Sequence, residues 1–375
     1  MEAIFWSAII FVFYSYLGYP ILLIVLGFLR NRSVKKGKIS PPVSLIITAY
    51  NEEKRIREKI ENALQQDYPG DRLEIFVASD CSEDRTDDIV RSLRSKGVQL
   101  VRAERRGGKE AAQKLAVNTA TGEILVFSDV ATILPPNAIT NIVRNFYDPT
   151  VGCVSSVDRV FDSGSTTGGE GIYVKYEMLL RNLETRVGTL VGLSGSFFAA
   201  RREVCQNWQP ELQSDFNTLL NAVHLGLRGV SDPESVGYYK NIADETREYE
   251  RKVRTVLRGI SVFMKSLPML NPFRYGIFSW QLLSHKLCRW LVSIALILTF
   301  VSNAFLIYKS SFYLSLFVLQ LAFYILAFGG VKLDLSSRNI LKIPSFFVLV
   351  NLSILTAWFR YFRGQRIITW EPSER

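Results

Sequence analysis

The chain has 375 residues, of which 48% are hydrophobic, and 45 Lys and Arg residues against 35 Asp and Glu give it a formal net charge of +10. Its four cysteines form no C-x-x-C pair, and two histidines argue against a histidine-rich metal site or a Ser-His-Asp triad. No zinc-finger spacing, basic-aromatic RNA-binding motif or basic zipper is present, so the positive charge is interpreted as lysine and arginine facing anionic lipid, with no nucleic-acid partner.

The chain starts with an apolar segment, since residues 3–29 contain no charged side chain and are numerous enough to cross a bilayer. A cleaved signal peptide is the alternative, but this apolar run is too long, no basic residue precedes it, and no small-x-small site follows. A basic segment comes next, at residues 30–38. By the positive-inside rule, residue 30 and those after it are predicted to be cytosolic.

Apolar strand-like runs then alternate with amphipathic helical patterns. Strands are predicted at residues 43–48, 73–78, 98–102 and 123–127, and helices at residues 52–66, 83–96 and 109–119. Such alternation is typical of a mainly parallel sheet with helices on both faces. Further on, the patterns predict a helix at 172–185, a strand at 193–200, a helix at 215–225 and a strongly basic helix at 247–267.

The last third of the chain contains an aromatic, amphipathic stretch at residues 269–280, suited to lying in a membrane interface. Three uncharged runs follow, at residues 290–308, 310–331 and 343–359. The first two are predicted to span the membrane, whereas the third is shorter and could be tilted or re-entrant. Three full crossings would leave a basic tail outside, against the positive-inside rule. The absence of charged residues within these runs argues against a transporter.

Acidic residues follow the predicted strands. Because the carboxyl ends of parallel strands meet at one edge of a sheet, these side chains are expected to lie close together. Asp80 can accept hydrogen bonds from a nucleobase or ribose, although Ser82 or Asp84 could instead cap the next helix. Asp129 can hold Mg²⁺ or Mn²⁺ and so tie two phosphates together, unless it caps a helix at residues 135–146.

Three further features have both a chemical and a structural interpretation. Gly107 and Gly108 precede Lys109 at a helix start, which favours a phosphate, although without the neighbouring motifs a tight turn with a solvated lysine would be the better explanation. Asp215 can act as a general base or cap its helix. Arg251 and Arg254 share a helical face and can grip a diphosphate, or face solvent or lipid.

Together these motifs resemble glycosyltransferase family 2, whose inverting enzymes have the GT-A fold, and within it the membrane-integrated relatives of cellulose, chitin and hyaluronan synthases. The resemblance covers residues 41–258. It implies an α/β fold, with a GT-A, Rossmann-like cytosolic domain of mostly parallel sheet plus transmembrane and interfacial helices. The implied division is an N-terminal transmembrane helix and basic flank at 1–31, the GT-A domain at 32–245, interface helices at 246–286, transmembrane helices at 287–362 and a tail at 363–375.

The resemblance implies donor-binding roles for five residues at the strand ends and the glycine turn. The first-strand motif places Tyr50 and Glu52 in the base pocket. Asp80 matches the nucleotide-binding aspartate, and Lys109 matches a basic residue near the donor phosphates. Asp129 matches the first residue of the metal-binding D-x-D motif, which implies Mg²⁺ or Mn²⁺ as cofactor.

The resemblance also implies a catalytic base and an acceptor loop. Asp215 matches the base. The loop Ser194-Gly195-Ser196 resembles the family's loop near the donor sugar and acceptor.

The chain departs from the family pattern at two motifs. Ala131 stands at the third position of D-x-D, which implies weaker metal affinity. In the Q-x-x-R-W element, which Arg251 and Arg254 match for donor binding, Arg251 replaces the glutamine and Thr255 the tryptophan. Because that tryptophan stacks on the acceptor sugar in processive synthases, its loss leaves processivity open.

The predicted function is that of a membrane-bound inverting glycosyltransferase that moves a sugar from a nucleotide sugar, expected to be a UDP-sugar, to a polysaccharide or lipid. The predicted location is a multi-pass inner membrane, with the catalytic domain in the cytoplasm. The alternatives are a non-processive transferase that adds one sugar to a lipid carrier, and a catalytically weak membrane subunit that binds nucleotide sugar, which Ala131 favours. The sequence does not identify the sugar, the linkage or any protein partner.

Overall fold

The computed structural model describes residues 1–160, 168–239, 245–332 and 339–367. Its strands are β1 (Val43–Ala49), β2 (Leu73–Ser79), β3 (Val98–Arg102), β4 (Ile124–Asp129), β5 (Val151–Val160), β6 (Phe197–Arg201) and β7 (Arg228–Tyr239). Its α-helices are α1 (Glu2–Phe13), α2 (Tyr19–Leu29), α3 (Ile56–Leu64), α4 (Thr86–Ser92), α5 (Lys109–Thr119), α6 (Ala138–Val143), α7 (Gly168–Val187), α8 (Ser214–His224), α9 (Glu245–Lys265), α10 (Pro272–Tyr275), α11 (Ile277–Leu282), α12 (Arg289–Leu306), α13 (Ser311–Lys332) and α14 (Asn339–Phe362). Short 3₁₀ turns lie at Gly70–Arg72, Arg94–Lys96, Arg144–Tyr147, Arg202–Cys205 and Leu267–Leu270, and π-helical turns at Tyr14–Gly18 and Leu283–Cys288.

The strands form one sheet in the order β3-β2-β1-β4-β6-β5-β7. Four of its six strand pairings are parallel, and only β6 runs antiparallel to its neighbours β4 and β5. The predicted α/β architecture with a mostly parallel sheet is therefore confirmed. From β1 the chain moves outward to β2 and β3 and then returns to β4 on the other side of β1. Ligands of open α/β sheets bind at such a reversal, beyond the carboxyl ends of the strands.

The sheet is buried on both faces, which explains why its parallel strands are nearly continuous apolar runs. Alternate side chains of β1 enter different cores, because side chains of a strand point to opposite faces. Leu45 and Ile47 pack in the cluster that includes α3 and α6, and Ile46 packs in the cluster that includes α5 and α8. The helices therefore fix the strand ends on which the polar residues lie.

Several predicted boundaries are wrong, and two strands, β5 and β7, are not predicted at all. Strand β7 contains Pro233 and the buried Asp232, an uncharacteristic pattern for a strand, and pairs with β5 through two register shifts. The strand predicted at 193–200 starts only at Phe197. Helix α3 starts at Ile56 rather than at residue 52, after a turn at residues 53–55, and Asn51 before this turn takes a left-handed φ of 52°.

Within the described residues, four helical stretches are long and apolar enough to cross a membrane: Glu2–Leu29, Ile277–Leu306, Ser311–Phe328 and Ile343–Phe362. They coincide with the four uncharged runs of the sequence, except that the second starts at Ile277 instead of residue 290.

The helical stretch that starts at Ile277 also includes His285, Lys286 and Arg289, which precede the uncharged run at residues 290–308. His285 and Arg289 are buried and contact Glu177 of α7, at 3.3 and 2.5 Å, so their charged ends point into the protein. Protein carboxylates thus allow charged groups within this apolar helix.

Polar contacts join the apolar helices to the sheet domain. The Tyr19 hydroxyl of α2 donates to Glu184 Oε1 of α7 at 2.6 Å, in a buried position. On another side, Arg360 of α14 pairs with Glu250 of α9 at 3.1 Å. The carboxyl edge of the sheet and the apolar helices line a common cavity between them.

Candidate active site

A cavity of about 460 Å³ lies between the carboxyl edge of the sheet and the apolar helices. One wall is formed by the start of α5, the end of β4, the loop after residue 191 and the start of α8. The opposite walls come from α7, α9 and two of the four apolar stretches, together with Tyr16 of the first. Seven of the predicted site residues line it: Lys109, Asp129, Gly195, Ser196, Asp215, Arg251 and Arg254.

Lys109 connects two parts of the cavity wall. Its Nζ lies 2.5 Å from Asp129 Oδ1 and donates to the Gly195 carbonyl oxygen at 2.9 Å. Lys109 is the first residue of α5, and Gly108 before it has a φ of 92°, a left-handed conformation that favours glycine. The glycine turn therefore directs the lysine toward the carboxylate at the end of β4.

A second lysine, Lys59, lies below the carboxylate end of β4. It is buried, and its Nζ donates to Ser128 Oγ at 2.8 Å and to the Thr132 carbonyl oxygen at 2.5 Å. Burial lowers the pKa of Lys59 to about 7, and the nearby Asp129 only partly opposes this effect. Lys59 thereby holds the turn between residues 128 and 132 in place, a role that the sequence analysis missed.

Asp215 lies in the first turn of α8. Its Oδ1 accepts from the Phe216 N–H at 2.7 Å, and its Oδ2 accepts from Gln213 Nε2 at 3.2 Å. Burial raises the pKa of the Asp215 carboxyl, and the positive charge of Lys109 and the hydrogen bond from Phe216 lower it by less. A carboxylate with a raised pKa is a stronger base, so this environment suits proton abstraction.

The loop Ser194-Gly195-Ser196 is fixed by an aspartate of β5. The hydroxyls of Ser194 and Ser196 donate to Asp158 Oδ1 at 2.7 and 2.6 Å. These hydrogen bonds explain why β6 does not begin at residue 193. The sequence analysis missed Asp158 because it missed β5, although an aspartate in an otherwise apolar and small-residue run was a usable signal.

Gly195 approaches Asp215 closely. A Cβ added at Gly195 would lie 2.8 Å from Asp215 Oδ2. We therefore expect Gly195→Ala to displace the carboxylate and, with Asp215 as the predicted base, to lower the rate of the predicted sugar transfer by roughly 10²-fold, since small misplacements of a reacting group have effects of about that size. Initial rates at saturating donor measure the change. Gly70→Ala is the matched control, because a Cβ there meets nothing within 4 Å; equal rates for the two variants would contradict the prediction.

Three arginines of α9 line the cavity at helical spacing: Arg251, Arg254 and Arg258. Arg258 Nη2 lies 2.5 Å from Glu110 Oε1, and the Glu110 side chain is only 2% exposed. The same Oε1 accepts from the Ser214 N–H at 3.3 Å. This ion pair connects α9 to the starts of α5 and α8, and the sequence analysis did not single it out.

Four predicted site residues are not part of the cavity lining: Tyr50, Glu52, Asp80 and Ser194. Asp80 is buried, and its carboxylate accepts from the N–H groups of Gly107 and Gly108 at 2.8 to 3.0 Å. The Arg106 guanidinium lies 4.0 Å above the centre of the Tyr50 ring. Tyr50 and Asp80 therefore contact the turn that positions Lys109, and form a second group beside the cavity.

Glu52 also lies outside the cavity lining. Its carboxylate is bound by the Arg55 guanidinium at 2.7 Å, and burial raises its pKa more than Arg55 lowers it. Two non-glycine residues with left-handed φ, Asn51 and Cys81, directly follow Tyr50 and Asp80. Such conformations occur often at ligand sites, where they turn the chain sharply after a strand.

The family model for glycosyl transferase family 2 matches residues 44–208. This segment is a glycosyltransferase family 2 domain. The prediction of the family is confirmed, and with it the prediction of a glycosyltransferase as the class of enzyme. The narrower link to cellulose, chitin and hyaluronan synthases stays a prediction.

Curated relatives of the glycosyltransferase domain share part of its sequence. The beta-monoglucosyldiacylglycerol synthase of Synechocystis is 27% identical over 194 residues, which are 49% of this chain and 40% of that protein. The probable glycosyltransferase YdaM of Bacillus subtilis is 26% identical over 199 residues, which are 50% of this chain and 47% of that protein. The chain thus spans less than half the length of these relatives.

A solved structure resembles nearly the whole chain. It is the mannosyltransferase PcManGT from Pyrobaculum calidifontis, solved in complex with GDP-Man and Mn²⁺, with a TM-score of 0.76 and 22% identity, covering 97% of this chain and 99% of that one. At this identity the likeness concerns the fold. The predicted GT-A fold of the glycosyltransferase domain, with apolar helices attached, is confirmed.

The side chains around Asp129 suit a metal ion whose ligands are shared between the protein and a bound donor, rather than one enclosed by protein ligands alone. In residues 1–160, 168–239, 245–332 and 339–367, no group of three or more His, Cys, Asp and Glu residues is placed to hold an ion. The Asp129 side chain is 26% exposed, and Ala131 offers no ligand. Mg²⁺ and Mn²⁺ can bind through one carboxylate when a diphosphate and waters complete the shell, so the residues present fit an ion that arrives with a donor.

Proposed function

We propose that this protein transfers a sugar from a nucleotide sugar to a lipid at a membrane surface, with inversion at the anomeric carbon. The observation that carries the proposal is one cavity lined by Lys109, Asp129, Asp215 and Arg254 and closed on its other side by helices apolar enough to cross a membrane. A charged donor and a lipid could meet only at such a boundary.

The donor is proposed to be a UDP-sugar bound across the glycine turn. The base would stack near Tyr50, while Asp80 holds the N–H groups of the turn in place and Glu52 fixes the neighbouring segment through Arg55. Lys109 would lie beside the diphosphate. GDP-mannose, the ligand of the solved mannosyltransferase, is the alternative donor to be tested.

Asp215 is proposed to be the general base. It would take the proton of an acceptor hydroxyl, whose oxygen attacks the anomeric carbon while the bond from that carbon to the diphosphate breaks on the opposite face. The negative charge then moves to the leaving diphosphate, where Lys109, Arg251 and Arg254 stabilise it. A divalent ion, Mg²⁺ or Mn²⁺, bound at Asp129 would supply further neutralisation of that charge.

A lipid acceptor and a single addition are favoured over a polymer. Thr255 lines the cavity at the position where the processive synthases resembled by the sequence carry an aromatic platform. The relatives from Synechocystis, Trichormus and Nostoc are named as synthases of a glucosyl lipid. The basic segment at residues 30–38 supports a multi-pass inner-membrane protein with its catalytic domain in the cytoplasm.

The test uses the full chain, purified in detergent and supplied with a membrane lipid extract. Radiolabelled UDP-glucose, UDP-N-acetylglucosamine and GDP-mannose are each offered, and the mass of the lipid product is measured. We expect one donor to give a lipid that is heavier by one sugar, with no transfer by Asp215→Asn. If none of the nucleotides binds and no sugar is transferred, the proposal is wrong; a ladder of products would instead support the polymer synthase.

Restoring the missing carboxylate is expected to tighten metal binding. Ala131→Asp places a second acidic ligand near Asp129, and we expect it to lower the Mn²⁺ concentration that gives half-maximal activity by about tenfold, because ligand charge sets the affinity for such ions. Ala131→Asn, which adds similar bulk without charge, is the control. Identical Mn²⁺ titrations for both variants would contradict the expectation that residue 131 lies within reach of the metal.

A further inference from the structure

The membrane end of the cavity contains a lysine, Lys286, that the proposed sugar transfer does not use. It lies in the π-helical turn Leu283–Cys288, and π-turns often occur at functional sites. Its Nζ lies 5.1 Å from the centre of the ring of Phe216, the residue after Asp215. It also lies 3.1 Å from where a Cβ on Gly192 would be, so the ammonium reaches the wall of the catalytic cavity.

Three carboxylates lie near this lysine, and each has other partners. Arg289 pairs with Glu177 at 2.5 Å, and His285 Nδ1 lies 2.6 Å from Glu184 Oε1. The third of them, Asp215, accepts hydrogen bonds from Phe216 N–H and Gln213 Nε2. In the part of the chain that the structure describes, no ion pair and no hydrogen bond is found for the Lys286 ammonium. An ammonium in this position within an apolar helix indicates a site for an anion, because an uncompensated charge there is costly.

A second cation without a carboxylate partner lines the same region. The Arg181 guanidinium of α7 donates to Ser155 Oγ at 3.2 Å, and among the described residues no carboxylate pairs with it. Arginine and lysine together are the usual partners of phosphate groups, since both give charge-assisted hydrogen bonds. The region therefore offers more than one donor to an anion.

The net charge of the whole cavity lining also favours the binding of an anion. Its lining contains eight Lys and Arg residues and five Asp and Glu residues. A nucleotide sugar and a divalent ion carry opposite charges of about equal size and nearly cancel, so they leave the excess of positive charge in place. A second anion, bound together with the donor, would neutralise it.

We propose that Lys286, with Arg181, binds the phosphate of a phospholipid-type acceptor and so presents the acceptor hydroxyl to Asp215. This rests on the function proposed above and narrows its acceptor to a lipid that carries phosphate. A lipid is the source, because the wall beyond Lys286 includes Tyr16, Val350 and Ile354 from two further apolar helices. Diacylglycerol, which lacks phosphate, would not use the site.

Dodecyl phosphate is the probe, with the purified full chain in dodecyl maltoside and binding followed by tryptophan fluorescence, since Trp290 lines the cavity. We expect it to bind the wild type and Lys286→Arg, and to bind Lys286→Met about tenfold or more weakly, as the loss of a charge-assisted contact implies. Lys309→Met is the matched control, because Lys309 pairs with Glu2 at 2.6 Å and does not line the cavity. It should bind like the wild type.

Three results would overturn the inference. Equal binding of dodecyl phosphate to the wild type and to Lys286→Met removes the role of the lysine. Equal binding of dodecanol removes the role of phosphate, and equally tight binding of inorganic phosphate removes the lipid. UDP and GDP binding, measured in the same samples, separates the two proposals. If nucleotide still binds while one of these three results is found, only the lipid-phosphate site is rejected. If the wild type neither binds nucleotide nor transfers sugar, the proposed function itself is rejected.

Discussion

Asp215→Asn is expected to lower the rate constant of sugar transfer by about 10²–10⁴-fold, the usual contribution of a general base. Asparagine has nearly the same shape and can still accept the hydrogen bond that Phe216 N–H donates at 2.7 Å, so the helix start should survive. It cannot take a proton from the acceptor. Initial rates at saturating donor measure the loss, and unchanged nucleotide binding shows that the variant is folded.

The pH dependence of the same reaction gives an independent check. Asp215 acts as a base only when it is deprotonated, so the rate should fall as the pH drops through the pKa of this group. Burial raises that pKa in the folded protein, hence the fall should occur at a higher pH than an ordinary aspartate would give. An Asp215→Asn variant with a rate close to that of the wild type, or with the same acid limb, would contradict the assignment of the base.

Arg258→Met is expected to destabilise the protein by about 3–5 kcal/mol, the usual effect of removing one partner of a buried ion pair. The Arg258 and Glu110 side chains are 12% and 2% exposed, and their charged atoms lie 2.5 Å apart. Without the arginine, the Glu110 carboxylate would remain buried without its cation, at the starts of both α5 and α8. A lower temperature of thermal unfolding in detergent measures the effect.

The double variant Arg258→Met with Glu110→Met isolates the cause. With both charges removed, no buried carboxylate is left uncompensated, and we expect most of the lost stability to return. Arg360→Met is the control, because its pair with Glu250 is exposed and pairs of that kind contribute little, about 0–1 kcal/mol. A single Arg258→Met variant as stable as the wild type would show that the pair does not hold α9 to the sheet domain.

The part of the sheet that could be predicted is the part in which strands that follow one another in the sequence also lie close together in space. Strands β1 to β4 are apolar runs separated by helices, and parallel strands buried on both faces have just this pattern. Strands β5 and β7 were not predictable, because they pair with each other across most of the domain and their runs contain polar groups such as Asp158 and Asp232. Those side chains are satisfied in large part by partners from other elements, including Ser194 and Asn145.

Part of the candidate site was likewise accessible from the sequence. The position of Asp129 after a strand and of Lys109 after two glycines is a local property, and the structure brings their charged atoms to 2.5 Å. A donor contact of Asp80 stays a prediction, and the structure adds that its carboxylate accepts from the N–H groups of the glycine turn. Local spacing can put a carboxylate at a strand end, but the direction of its contacts depends on which loop folds over it.

The sequence by itself determined the class of the domain, the four apolar helices and the acidic residues at the strand ends, because hydrophobic periodicity and strand-end position are encoded within short segments. Only the tertiary structure decided that Asp158 fixes the serine loop, that Arg258 pairs with Glu110, and that charged residues continue into the second apolar helix. These contacts join elements far apart in the chain. Their cost or gain depends on burial and on the partner's charge, which no single segment contains.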